Sequence, residues 1–464
     1  MKQFEKLGLV FILPALFVSL LCCGCEGGGG GGQVSSWAKS YGGTDYDYAW
    51  SIQQTTAGGY IVAGYTYSFG ASEDDFWVLK LSSGGAVSWQ KRYDGGDNDY
   101  ATSIQQTCDG GYIVAGHTTS FGAGDSDSWV LKLNSSGTVA WQKRYAGANE
   151  DWAVSIQQTS DEGYIVAGIT DSFGAGSGDF WVLKLRADGT LIDDGTGTAA
   201  WQKRYGGANG DGAWSIQQTG DGGYIVAGTT SSFGAVGLDF WVLKLNSDGT
   251  VAWQKRYGGG NDDRVLSIQQ ISDGGYIVAG YTSSFGAGLT DFWVLKLNSD
   301  GTVDWQNAYG GAADDYASSV QQTSDDGYIV AGVTYSFGAG SGDFWVLKLN
   351  SSGTVAWQKT YGGVSKEEAT SIQETRDGRY IVAGYTYSFG AGGYDFWVLR
   401  LDSDGTVSFN PASDAYMADT YVFPTTTSAL GTNTAATVAD TSATVADTNA
   451  SVNNTHATIE RQAP

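Results

Sequence analysis

Proline is nearly missing from this chain. There are four in 464 residues, and none lies between Gln33 and Asn410. A strand without proline can donate every backbone N–H to its neighbours, so this interior is open to continuous β-ladders. Collagen-like structure, which needs abundant proline and glycine at every third position, is excluded. Histidine is as scarce, with only His117 and His456. That excludes a histidine-rich metal site and leaves a Ser-His-Asp triad only His117, with no supporting motif. Basic charge is also short: 25 Lys and Arg against 49 Asp and Glu, a formal net charge of -24. Nucleic-acid phosphate would be repelled. A neutral glycan, a cationic ligand or Ca2+ is compatible with this balance, and so is acidity that serves only solubility.

What is present rules out disorder. The chain is 41% hydrophobic and 13% aromatic, with 17 Trp, enough to bury a large core. Seventy glycines, about twice the usual share, suggest many short strands joined by tight turns.

The N-terminus reads as an address. Lys2 and Lys6 precede an apolar run from Leu7 to Leu21, too short to span a bilayer but suited to a signal-peptide core. The run ends Leu21-Cys22-Cys23-Gly24-Cys25 and resembles a bacterial lipoprotein signal. That resemblance implies a signal peptide over 1–24 and lipidation of Cys25, with Cys23 the alternative. Residues 25–35 then form a lipidated, glycine-rich tether. After processing at Cys25 the only other cysteine is Cys108, so no intramolecular disulfide is expected.

Repetition decides the fold. Tyr-Ile-Val-Ala-Gly starts at Tyr60, Tyr112, Tyr164, Tyr224, Tyr276, Tyr328 and Tyr380, spaced by 52 residues except for one interval of 60. The long interval carries about eight extra residues near Leu191–Ala199. Each unit reads as four strands: in the fifth copy, A around Ser267–Gln270, B at Tyr276–Thr282, C at Phe292–Leu297 and D at Val303–Tyr309. Asp-Gly turns join them, and strands B and C are almost continuously apolar, as in sheets covered on both faces. The expectation is an all-β, seven-bladed β-propeller over 36–410, with four antiparallel strands per blade. Trp37–Gly43 has the D-strand pattern but no C strand before it, while the seventh unit's D strand degrades after Phe409. The N-terminal strand is therefore expected to complete the last blade. Residues 411–464 form a Thr/Ala/Asp-rich low-complexity tail with a seven-residue period, read as a disordered or extended stalk.

The D–A and B–C connections share one rim, the top, and are the longer ones, so binding is expected there. Two carboxylate series lie in these loops. One is Asp47, Asp99, Asp151, Asp211, Asp263, Asp315 and Glu367. The other is Asp75, Asp127, Asp179, Asp239, Asp291, Asp343 and Asp395. Hard cations want several carboxylates, which makes the first series a Ca2+ candidate. Acids at the same place in every copy more simply accept backbone N–H bonds inside glycine-rich loops. No other cofactor is expected, and no metal site is firm.

Positions where near-identical repeats disagree are free of the scaffold's demands. Four such positions sit at the top ends of strands A and B. They hold Tyr48, Trp50, Tyr65, Tyr67, Tyr100, His117, Trp152, Trp214, Arg264, Tyr281, Tyr316, Tyr335, Tyr385 and Tyr387. Aromatics with polar tips suit recognition of a glycan or a protein; drift on an exposed rim and packing between blades are the competing readings.

Ser299–Trp305 resembles the Asp-box turn of sialidase propellers, one residue short of that spacing. The sialidase arginine triad has no counterpart, because Arg92, Arg144, Arg204 and Arg256 fall on outer strands. The Gly-Gly, Tyr and Trp content is similar to kelch repeats. Ser267-Ile268-Gln269-Gln270 followed by Asp273–Gly280 resembles most the tandem-repeat propellers of bacterial and archaeal surface proteins and lipoproteins. That resemblance implies an envelope or surface location. The expected role is a monomeric, membrane-anchored binding or adhesion module that does not bind nucleic acid. A polysaccharide-processing hydrolase or lyase using top-face carboxylates is the alternative.

Overall fold

The computed structural model describes residues 35–407, except 70–72, 121–125, 175–177, 192–199, 234–236 and 391, together with six short strands in the tail. The leader, Cys23 and Cys25 therefore lie outside the described residues. Among the described residues no helix is long and apolar enough to cross a membrane.

The chain folds as a seven-bladed β-propeller. Blade 1 runs Asp47–Gln54 (A), Tyr60–Thr66 (B), Asp75–Leu81 (C) and Val87–Asp94 (D), all antiparallel. The pattern repeats to blade 7, whose A, B and C strands are Glu367–Glu374, Tyr380–Thr386 and Asp395–Leu401. In blade 5 strands B and D match the sequence expectation, while A begins four residues earlier, at Asp263, and C one earlier, at Asp291.

Alternate residues of B and C enter two different cores. Tyr276, Val278, Trp293 and Leu295 pack toward blade 4, and Ile277, Ala279, Phe292 and Val294 toward blade 6. Both faces are buried, so neither strand shows polar alternation. At the interface between blades 5 and 6, Phe292 meets Trp345 with ring centroids 4.6 Å apart.

Two motifs bolt each blade to the next. On the inner strands, Gln53 Oε1 accepts the Gln106 backbone N–H at 2.6 Å and Ser51 Oγ accepts that of Ile104 at 3.2 Å. The second glutamine works in the opposite direction: Gln106 Oε1 accepts the Thr56 N–H at 2.7 Å. On the outer strands, Trp253 Nε1 donates to the Ser299 carbonyl and the Tyr257 hydroxyl to that of Gly301. Gly301 sits at φ 77°, the left-handed turn position that favours glycine.

Residues Trp37–Tyr41 pair antiparallel with strand C of blade 7 and form its outer strand. Trp37 Nε1 reaches the Ser83 carbonyl at 3.0 Å, so the joint between blades 7 and 1 uses the same bonds as the other joints. The ring closes as expected.

The tail departs from a free stalk. Short strands at Tyr416–Asp419, Thr425–Thr426, Ala439–Asp440, Thr444–Asp447, Ser451–Asn454 and Thr458–Arg461 pair antiparallel with strand D of blades 6, 5, 4, 3, 2 and 1 in turn. An outer strand leaves a row of unpaired backbone groups, and a low-complexity segment rich in Thr and Ala can pair with it. The last three tail strands start seven residues apart, which is the period of the sequence repeat.

Candidate ligand-binding face

The top-face loops are held by the carboxylates that the repeats share. Asp263 Oδ2 accepts the Gly259 N–H and the Ser284 hydroxyl, and its Oδ1 accepts the Thr282 hydroxyl. The equivalent bond from glycine is made in all seven blades, ending with Gly363 N–H to Glu367. The second series lies alongside. A Cβ at Gly310 would stand 1.6 Å from Asp291 Oδ1 and 2.8 Å from Asp315 Oδ2, so only glycine fits between the two acids. Arg92, Arg144, Arg204 and Arg256, on strands D, pair with Asp75, Asp127, Asp179 and Asp239. These acids are bonded within their loops and, in four blades, to strand-D arginines. The calcium candidates Asp47, Asp99, Asp151, Asp211, Asp263 and Asp315 sit one to a blade. Among the described residues one trio of carboxylates comes close together, Asp75, Asp94 and Asp99, and Arg92 bridges Asp75 and Asp94. A cation is thus already built into that group.

The variable positions have a structural cause. In every blade the A–B ladder shifts register between two A-strand residues, as between Ala49 and Ser51. The skipped residue is Trp50, and its equivalents include Trp214 in blade 4. A bulged residue is released from the ladder and its side chain re-aimed. Trp50 is accordingly exposed.

The aromatics form a crescent. Strand B of each blade faces strand A of the next, and the variable residues meet there: Tyr65 with Tyr100 at 4.8 Å, His117 with Trp152 at 5.1 Å, Tyr281 with Tyr316 at 4.8 Å, and Tyr385 with Tyr48 at 4.8 Å. Tyr46 and Tyr394, which the repeat comparison did not single out because they lie in loops, join Tyr48 at 6.4 and 5.2 Å. Lys366 was missed as well. It lies 5.9 Å over Tyr335 and 6.0 Å over Tyr385, carrying the crescent across blades 6 and 7. Burial works against the charge of Lys366, but Glu368 and Tyr335 hold it above the usual lysine value. Tyr46, Tyr67, Tyr335 and Tyr387 are exposed, as Trp50 is, while Tyr385 is buried. Burial pushes the Tyr48 and Tyr100 phenols up to about 12, so they remain neutral donors. Burial lowers His117 to about 4 and keeps it neutral at ordinary pH.

The crescent breaks at blades 3 and 4, where Ile169 faces Gly212. A cavity of about 320 Å³ opens there, lined by Trp152, Ile169, Trp214, Thr229 and Leu238, with Glu150, Asp171 and Arg264 also on its wall.

A family model agrees with this architecture. Residues 271–304 and 375–407 match a family described as "Domain of unknown function (DUF5122) beta-propeller". The regulatory protein FlaEY of Caulobacter vibrioides is 25% identical over 412 residues, covering 75% of this chain. The match takes in 42% of that relative, so the chain spans less than half of its length. Sqt1 from Chaetomium thermophilum aligns at 11% identity with a TM-score of 0.42, covering 84% of this chain and 89% of that one. A protein of unknown function from Bacteroides caccae aligns at 14% identity and a TM-score of 0.36, covering 59% and 94%. Structural likeness at that level carries no argument about activity.

Proposed function

We propose that this propeller is a non-enzymatic binding module that recognises an extended extracellular glycan on its top face. In this reading the mature chain is exported, held at the cell envelope by a lipid on Cys25, and acts as a monomer without a cofactor. One observation carries it: a crescent of polar-tipped aromatics with exposed rings at Tyr46, Tyr67, Tyr335 and Tyr387. Sugar C–H faces stack on such rings while phenols bond the hydroxyls, and little side-chain entropy is lost. The carboxylates that a hydrolase would need are engaged in their own loops. A glycan array and a turnover screen test the reading on wild type and on Trp50→Ala/Tyr387→Ala. Binding without turnover, lost in the variant, is expected. Turnover abolished by replacing one carboxylate would overturn it, as would capture of a protein partner with no glycan bound.

A further inference from the structure

At Gly212 the top face has a blade whose strand A carries no side chain at the variable position, and a cavity opens there. At this position the other blades carry Tyr48, Tyr100, Trp152, Arg264, Tyr316 and Glu368. Without a side chain there, strand A of the next blade sets no side chain against Ile169 at this position. A Cβ on Gly212 would lie 2.9 Å from Ile169 Cδ1, so a side chain there would press Ile169 aside and crowd this end of the cavity.

The walls have two characters. Trp152, Trp214, Ile169 and Leu238 supply flat or branched apolar surface. The polar groups are unevenly satisfied. Thr229 is 6% exposed, and among the described residues its hydroxyl has no hydrogen-bond partner; nor has the Trp152 indole N–H. A buried hydroxyl left unpaired costs free energy that a hydrogen-bonding ligand recovers. Asp171 and Glu150 offer acceptors, and the exposed Arg264 offers donors.

We propose that this cavity is a subsite for one neutral hexopyranose ring, the end unit of the glycan that lies along the crescent. The inference rests on the glycan reading for its ligand class. A volume near the low end for small-molecule sites suits a single ring. A pyranose has C–H faces for the tryptophans and hydroxyl edges for Thr229, Asp171 and Arg264. A wholly apolar ligand would leave Thr229 unpaired. An anionic sugar would meet Glu150 and Asp171, and a quaternary ammonium, which those acids and the tryptophans would attract against Arg264, is the rival ligand class that the choline probe separates.

The test uses the full chain and saturation-transfer NMR with methyl glucoside, methyl mannoside, methyl galactoside and methyl N-acetylglucosaminide, with choline chloride as the cationic probe. Gly212→Tyr restores the residue that three other blades carry and crowds the cavity. Thr229→Val removes the hydroxyl and keeps the shape, so it serves if the first variant folds poorly. Cys108→Ser, on the opposite rim, is the control. At least one glycoside should bind wild type and the control, about tenfold or more weaker to Gly212→Tyr and several-fold weaker to Thr229→Val. No glycoside binding, binding unchanged in Gly212→Tyr, or binding of choline alone overturns the subsite. The two readings fail separately. Array binding of chains without glycoside binding removes the subsite only. Glycoside binding lost in Gly212→Tyr, with no chain bound on the array, removes the crescent reading only.

Discussion

The Tyr41 hydroxyl donates to the Gly85 carbonyl at 2.6 Å, joining the N-terminal strand to the turn between strands C and D of blade 1. Tyr257 and Gly301 make the same bond at the same length inside the ring. The closing joint is therefore as well made as an internal one. Tyr41→Phe removes the donor and should lower stability by about 1 kcal/mol. Tyr257→Phe should cost about as much. Urea unfolding of both variants checks this; a silent Tyr41→Phe beside a costly Tyr257→Phe would show that the clasp is not engaged.

Much of this was legible in the sequence. Two complementary partial ends predicted the clasp, and strict repetition predicted the blades. The roles of Ser267-Ile268-Gln269-Gln270 were not legible beyond a strand, because its bonds run to neighbouring blades: Gln322 N–H donates to Gln269 Oε1 at 2.6 Å and Gln270 Oε1 accepts from Gly220. A single repeat gives no sign of its neighbour. At the top face, divergence among repeats found Tyr48 and Trp214, but it could not see Tyr394 or Lys366, which sit in loops and join the crescent only in space. Gly212 was visible as a variable position, and only the fold shows that its missing side chain leaves a cavity.

Lys80 lacks a partner that its equivalents have. Lys132, Lys184, Lys244, Lys296 and Lys348 pair with Asp109, Asp161, Asp221, Asp273 and Asp325. In blade 1 that aspartate is replaced by Ala57, and burial lowers Lys80 to about 8. Ala57→Asp should stabilise the protein by about 0.5–1 kcal/mol, a modest gain because the equivalent aspartates are largely solvent-exposed. It should also slow acylation of Lys80 at pH 8 by raising its pKa, which peptide mapping after limited amine labelling would read. Unchanged labelling would mean that no pair forms.

Acid should stabilise this fold before it destabilises it. Burial raises Asp75 and Asp99 to about 7 and Asp239, Asp291 and Asp343 to about 6. The folded state then binds protons more tightly than the unfolded chain, so stability falls as pH rises from about 4 to about 7. His117, lowered to about 4, acts in the opposite sense, since its share is lost as pH falls below about 6.5. Five carboxylates outweigh one imidazole. Further down, Asp221 resists its burial, because bonds from Lys244 and Thr219 lower it to about 2; its contribution disappears as pH drops below about 4. Melting temperature at constant ionic strength should peak near pH 4 and be lower at pH 8 and at pH 2.5. A steady rise from pH 5 to pH 8 would contradict the carboxylate assignment.

The tail gives the last prediction an internal control. Val445 pairs with Tyr205, Val452 with Tyr145 and Ile459 with Tyr93, three strands laid on equivalent outer edges of blades 3, 2 and 1. Seven residues of extended chain reach at most about 25 Å, so each repeat carries the backbone roughly one blade further round the rim. Among the described residues the blade 7 sheet has four strands, with Trp37–Tyr41 as its outer strand and no tail strand beside it. Deleting residues 411–464 should therefore speed amide exchange along strands D of blades 1 to 3 and 6, where the tail pairing is longest, and leave Trp37–Tyr41 unchanged. The loss of protection should be local, since the described cores between blades are built from strands A to D of the ring. Equal exchange in the full-length and truncated chains would mean that the tail does not hold the outer edges. Faster exchange in Trp37–Tyr41 as well would mean that its removal loosens the whole ring.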